Sequence, residues 1–100
     1  MIDWTHTKGF DWDVGNSRKS TEKHTVSQAE AEQVFFNQPL LILGDVKHSD
    51  VEPRLHALGH TDADRRLHIS FTLRESGTLL RVISARDMSR KERTIYEEQD

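Results

Sequence analysis

The sequence predicts an α+β domain: a small antiparallel sheet of four to five strands, with two helices before it and one after. Three observations predict it. Thr78 to Arg86 (TLLRVISAR) places apolar residues on both parities, as a central strand covered on both faces requires. Leu67, Ile69, Phe71 and Leu73 alternate with His68, Ser70, Thr72 and Arg74, the pattern of a strand with one buried face. Ser27 with Glu30, and Ser89 with Glu92, have the spacing of capping boxes, in which two helix-start donors meet two acceptors.

The elements follow in order as β-α-α-β-β-β-β-α. Met1 to Gly9 is a mobile arm or an edge strand. Phe10-Asp11-Trp12 alternates and reads as a short strand. Asp13 suits an N-cap, and Val14 to His24 forms a first helix that Gly15, Asn16, Ser17, Ser20 and Thr21 weaken. The second helix starts after Ser27 and carries Ala29, Ala31, Val34 and Phe35. Asn37-Gln38-Pro39 ends it, because proline biases its predecessor to an extended backbone. Leu40 to Leu43 is a buried strand, and Gly44 to Val51 a loop. Arg54 to Thr61 is the next strand, Asp62 to Arg66 a turn, and Leu67 to Arg74 the strand that follows. Glu75-Ser76-Gly77 is a three-residue hairpin loop with glycine at the left-handed position. Ser89 then opens the last helix.

Composition narrows the function. One hundred residues, 34% of them hydrophobic, make one domain with a modest core. No stretch approaches the roughly 20 apolar residues that span a bilayer, and the N-terminus lacks the apolar run of a secretory signal. With no cysteine there is neither a disulfide scaffold nor a thiolate zinc site. The chain therefore reads as cytoplasmic, without a membrane partner. The net charge of −3 argues against direct nucleic-acid binding, but its distribution is uneven. Residues 45–93 carry ten basic and eight acidic side chains, so the middle is mildly basic and rich in arginine. No glycine-rich phosphate loop, nucleophile elbow or metalloprotease helix is present, and no cofactor is implied.

Strand parity yields a constellation. If Thr61 pairs with Leu67, then Leu55 faces Leu73, Ala57 faces Phe71 and Gly59 faces Ile69 on the core side. On the other side Arg54 faces Arg74, His56 faces Thr72 and His60 faces His68. Two facing arginines repel unless an anion sits between them, and their planar forks suit a carboxylate such as Glu52 or a phosphate. Unbroken hairpin pairing would put Arg81 opposite Phe71 in the core, which is costly. A bulge at Gly77 moves it beside Thr72 and Arg74. His56, His60 and His68 share a face, but no acidic third ligand falls beside them, and exposed strand histidines are the ordinary reading.

Several pieces together resemble the BrnT toxin family, also called DUF497. They are Phe10-Asp11-Trp12-Asp13, Lys23-His24, Val26-Ser27 and the Phe35 to Leu40 region; then His48, Glu52, Arg54 and Gly59; then Thr72, Arg74 and Arg81 to Arg86; then Arg90, Glu92, Arg93 and Tyr96. Thr25 stands where the family has glycine, Pro53 where it has a second glutamate, and Asn16 and Ser20 where it tends to lysine and asparagine. The resemblance implies a RelE-like fold and a metal-independent ribonuclease toxin of a type II toxin–antitoxin pair. It also implies a cognate antitoxin of BrnA type, a ribbon-helix-helix protein through which operator DNA is met only indirectly.

Metal-free RNA cleavage by the 2′-hydroxyl needs a base, an acid and cationic donors for the phosphate. Arg54, Arg74 and Arg81 are the candidates for the phosphate cradle, with Arg86 as a further RNA contact. Glu52 or His56 is the candidate base, and His24 or His48 the candidate acid. Lys23 adds a backbone contact. Two bland roles stand beside these: Glu52 as an ion pair holding Arg54, and His24 as a cation at a helix end. Two readings besides a nuclease stay open. One is a catalytically impaired module that binds the antitoxin in a repressor complex; the other is a plain structural domain.

Overall fold

The computed structural model describes residues 9–12, 25–44, 54–74 and 79–98. Along the chain they form β1 (Gly9–Phe10), α1 (Gln28–Val34), β2 (Leu41–Gly44), β3 (Leu55–His60), β4 (Arg66–Arg74), β5 (Leu79–Asp87) and α2 (Arg90–Glu97). The helix predicted over 14–24 and the loops 45–53 and 75–78 lie outside the described residues, so two helices rather than three are described. The strands lie in the order β1-β5-β4-β3-β2. The sheet is mixed, not wholly antiparallel: β1 runs parallel to β5, with Gly9 beside Leu79 and Phe10 beside Leu80. That pairing brings Phe10 and Trp12 against the core, while the Asp11 backbone N–H donates to Leu80 O at 2.9 Å.

Both capping boxes form. At α1 the Glu30 N–H donates to Ser27 Oγ at 3.1 Å and the Ser27 N–H donates to Glu30 Oε1 at 3.0 Å. At α2 the same reciprocal pair joins Ser89 and Glu92. Each cap satisfies donors that the helix cannot, an effect of about 1 kcal/mol. Val26, immediately before the first cap, packs in one cluster with Ala31 as a hydrophobic staple.

The helices occupy opposite faces of the sheet. Ala31 and Val34 of α1 join Ala57, Leu67, Ile69, Phe71, Leu80, Val82 and Ala85 in the main core. On the other face Leu58 meets Met88 and Tyr96, with Leu41 and Ile95 beside them. The described helices thus cover both faces of the sheet. Leu58 sits at an otherwise polar parity, and α2 has its own apolar side chains to bury there.

The register between β3 and β4 differs from the expected one by two residues. Leu55 pairs with Phe71, Ala57 with Ile69 and Gly59 with Leu67. The two faces keep their residues, because a shift of two positions preserves parity. The cause is the turn. The Thr61 N–H donates to Arg65 O at 2.9 Å, and the Arg65 N–H donates to Thr61 Oγ1 at 3.0 Å. Asp64 completes the turn at a φ of 65°, a left-handed conformation that aspartate tolerates better than most residues. Arg66 therefore belongs to the strand, not to the turn.

β4 and β5 pair antiparallel, with one irregularity. Ser70 pairs with Ser84 and Phe71 with Val82, so Ile83 is an extra residue. A bulge lies here, and it sets Arg81 opposite Thr72; the one expected at Gly77 falls outside the described residues. Leu80 and Val82 on one side of it and Ala85 on the other all stay in the core, and this shared burial holds the bulge in place.

Two backbone positions generate predictions. Thr25 adopts a φ of 52°, which is strained for a β-branched residue. Thr25→Gly relieves that strain at some cost in unfolded-chain entropy, a net gain of about 1 kcal/mol. Chemical denaturation measures it, and an unchanged or lowered midpoint contradicts the account. Gly59 lies under α1, where an added Cβ would come within 2.6 Å of Val34 Cγ1 and 3.3 Å of Val34 O. Gly59→Ala is expected to cost about 1–3 kcal/mol. In the Gly59→Ala/Val34→Ala double variant the two costs sum to less than additively, and full additivity would show that the two do not clash.

Candidate active site

The corrected register arranges the second face of the sheet in rows. On β4 and β5, Thr72 stands opposite Arg81, Ser70 opposite Ser84, and His68 opposite Arg86. On β3, His56 stands opposite Ser70 and Leu58 opposite His68. Arg54 immediately precedes β3, whose first residue Leu55 pairs with Phe71. The expected Arg54–Arg74 rung does not form. Arg74 ends β4 opposite Leu79, whereas Arg54 and Arg81 each adjoin the row Leu55–Phe71–Val82. Their backbones are two strand spacings apart, about 10 Å, a span across which two long side chains can converge on one phosphate. His56 likewise faces Ser70 rather than Thr72, and His60 faces Arg66 rather than His68.

Neighbours restrain these side chains. Arg81 Nη1 lies 3.4 Å from Asp11 Oδ2, an ion pair set up by the β1–β5 pairing. His56 Nδ1 and Ser70 Oγ are 3.1 Å apart. The rings of His56 and His68 stack with centroids 4.9 Å apart and planes 34° from parallel. His60 is committed elsewhere: its Nδ1 is 2.7 Å from the Tyr96 hydroxyl, which donates to Pro39 O at 2.6 Å. The Tyr96 oxygen therefore accepts from His60 Nδ1–H.

Arg86 was expected to touch RNA, but its guanidinium grips Glu92 with two bonds of 2.8 and 2.9 Å. Glu92 is thus both the capping-box acid of α2 and the anchor of Arg86. Burial opposes its charge, but the bonds from Arg86 and from the Ser89 N–H outweigh burial and hold the carboxyl down at about 2. His68 is 8% exposed. Its Nε2 is 3.9 Å from Glu92 Oε2, too far for a hydrogen bond. Its Nδ1 is buried with no partner among the described residues. Burial, then the charge of Arg86, keep His68 below its ordinary value of 6.5 against the weaker pull of Glu92. No group of three His, Asp or Glu side chains among the described residues is placed to hold a metal ion.

Of the sequence-derived site residues, the register places His56 and Arg81 on this face and Arg54 immediately before β3. Lys23, His24, His48 and Glu52 lie outside the described residues. Residue-level reasoning passed over Asp11, Ser70 and Glu92 as parts of the site. Asp11 had a signal, since Phe10-Asp11-Trp12-Asp13 was among the pieces that carried the resemblance.

A family model for the ribonuclease toxin BrnT of type II toxin–antitoxin systems matches residues 12–92. The chain belongs to the BrnT toxin family. No curated protein matches it. As a BrnT protein the chain is a ribonuclease toxin, and a type II toxin has an antitoxin partner. No helix among the described residues is long and apolar enough to cross a membrane.

The buried state of His68 has a pH consequence. Its proton affinity is lower folded than unfolded, so the unfolded chain takes up more protons below about 6.5. Stability is complete above that pH and falls as pH drops through the histidine range. Urea unfolding between pH 7.5 and 5 is expected to show a shallower decline for His68→Gln than for the wild type. Parallel declines would mean that His68 titrates alike in both states. Glu92 acts in a lower window: its contribution is complete above 4.5 and drains toward about 2.

Proposed function

We propose that this BrnT protein is an endoribonuclease that cuts RNA without a metal, by attack of the 2′-hydroxyl on the adjacent phosphorus. The observation that carries the reading is the pair of adjoining rows, Thr72–Arg81 and His56–Ser70–Ser84, with Arg54 immediately before β3, which sets cationic donors near an imidazole. The sheet and its flanking helices are read as a RelE-like toxin fold.

Arg54 and Arg81 cradle the scissile phosphate, joined by Arg74 from the end of β4. Guanidinium groups oriented in advance stabilise the charge that builds on the phosphorane, which water would do less well. Asp11 orients Arg81. His56, with Ser70 holding Nδ1, or Glu52 takes the proton of the 2′-hydroxyl. His24 or His48 returns a proton to the leaving 5′-oxygen, and Lys23 contacts the RNA backbone. Arg86 contributes by holding Glu92 and the start of α2. The toxin acts in the cytoplasm, and a BrnA-type ribbon-helix-helix antitoxin neutralises it and carries the complex to operator DNA.

Induced expression is expected to arrest growth, with rescue by the antitoxin. Purified toxin is expected to cut RNA in the presence of EDTA and leave 2′,3′-cyclic phosphate ends. Arg54→Ala, Arg81→Ala and His56→Ala, each folded by circular dichroism, lower the cleavage rate by about 10²-fold or more. Cleavage that EDTA abolishes and magnesium restores would overturn the metal-free mechanism. Normal growth and intact RNA, with antitoxin binding retained, would leave a partner-binding module.

A further inference from the structure

Beside His56 a groove of ≈ 370 Å³ opens between the edge of the sheet and the start of α2. Leu43 and Gly44 of β2, His56 and Leu58 of β3, and Ile95 of α2 form its walls. We infer that this groove seats one nucleobase of the RNA next to the scissile phosphate, and that it favours bases carrying an amino group over uracil. The inference rests on the proposed ribonuclease reading and names the part of the substrate that the site recognises.

Two independent features point to a ligand. His68 lines the groove, is more than nine-tenths buried, and has a ring nitrogen with no partner among the described residues. A buried polar atom without a partner is costly unless something supplies one. Leu43, at the rim, is 43% exposed although it is a large apolar side chain in a strand. An apolar rim and an unmet polar atom suit a flat group with an apolar face and a polar edge. The stacked imidazoles of His56 and His68 extend the surface on which a base can lie, the usual means of holding an unpaired base.

The charges favour a base over a phosphate here. Glu92 lies at the groove and is ionised throughout the physiological range. Its partner Arg86 is already held by two bonds, which leaves Lys91 as the cation lining this groove among the described residues. A carboxylate repels a phosphate but accepts from an exocyclic amino group. Adenine and cytosine each offer one; uracil presents two carbonyls on the corresponding edges.

The test separates binding from cutting. Fluorescence anisotropy is measured with labelled 2′-O-methyl oligomers of A, C or U about ten nucleotides long, whose blocked 2′-oxygen cannot attack. The wild type is expected to bind the A and C oligomers about tenfold more tightly than U, one stacked base's worth of affinity. Leu43→Trp fills the groove: Leu43 pairs with His56 and shares its face, and its side chain is already 43% exposed, so the fold can accept the substitution. Both Leu43→Trp and His68→Leu are expected to bring A and C down to the level of U. If Leu43→Trp keeps the wild-type ranking and affinities, the base seat is wrong. If it abolishes antitoxin binding and leaves RNA binding untouched, the groove seats a protein segment and the inference falls. A ranking that collapses as expected, in a protein that cuts no RNA, keeps the seat and removes the proposed cleavage. Cleavage by the wild type with rankings indifferent to the groove does the reverse.

Discussion

The closure of the Thr61–Arg65 turn decides what stands next to what on the polar face. Had Thr61 paired with Leu67 instead, two positions on, Arg54 would face Arg74 and the stacked histidines would be differently placed. Thr61 uses its backbone N–H, its carbonyl and its hydroxyl within this turn. Arg65 extends the constraint. Its guanidinium bonds Asp87 at the end of β5, Glu30 in the first turn of α1 and the carbonyl of Thr25. The hydrogen bonds to Asp87, ahead of those to Glu30, outweigh burial and raise its already high proton affinity, so it stays charged at any pH the fold survives. One side chain thus joins the turn, the far strand and the helix on the core side.

The bulge at Ile83 is the second constraint, and it acts on β5 alone. In a regular strand Arg81 and Arg86, five positions apart, would point to opposite faces. The extra residue reverses parity between them. Arg81 and Arg86 then share the polar face, while Leu80, Val82 and Ala85 all remain in the core. The two arginines are not equivalent there. Asp11 meets Arg81 at 3.4 Å, whereas Glu92 holds Arg86 by two short bonds. The same Glu92 closes the capping box of α2, so the helix start and the floor of the groove are fixed by one carboxylate.

Much of the fold was legible in the sequence because local chemistry dictates it. Both capping boxes stand where serine and glutamate three residues apart place them. The strict alternation in β4 correctly divided its residues between core and polar face. The mixed sheet was not legible, because β1 is two residues long and pairs with a strand some 70 positions later. The placement of α2 was not legible either, since Leu58 alone breaks the polar parity of its strand and gives little sign of a second cluster. Of the candidate site, parity placed His56 on the polar face, whereas the face of Arg81 depended on the bulge at Ile83. The row partner of Arg54 was misjudged because a shift by two positions leaves every parity argument unchanged.

The amino-acid sequence by itself determined the helix starts, the faces of the strands, the family and the residue types available for chemistry. These follow from spacing over a few residues, where one local interaction outweighs its alternatives. Only the tertiary structure decided which side chains share a row, which arginine is held by a carboxylate, and that a buried histidine borders a groove. Those depend on rung pairings and on an extra residue stabilised by burial of its neighbours. Such choices are settled by contacts between strands far apart in the chain, to which local spacing is blind.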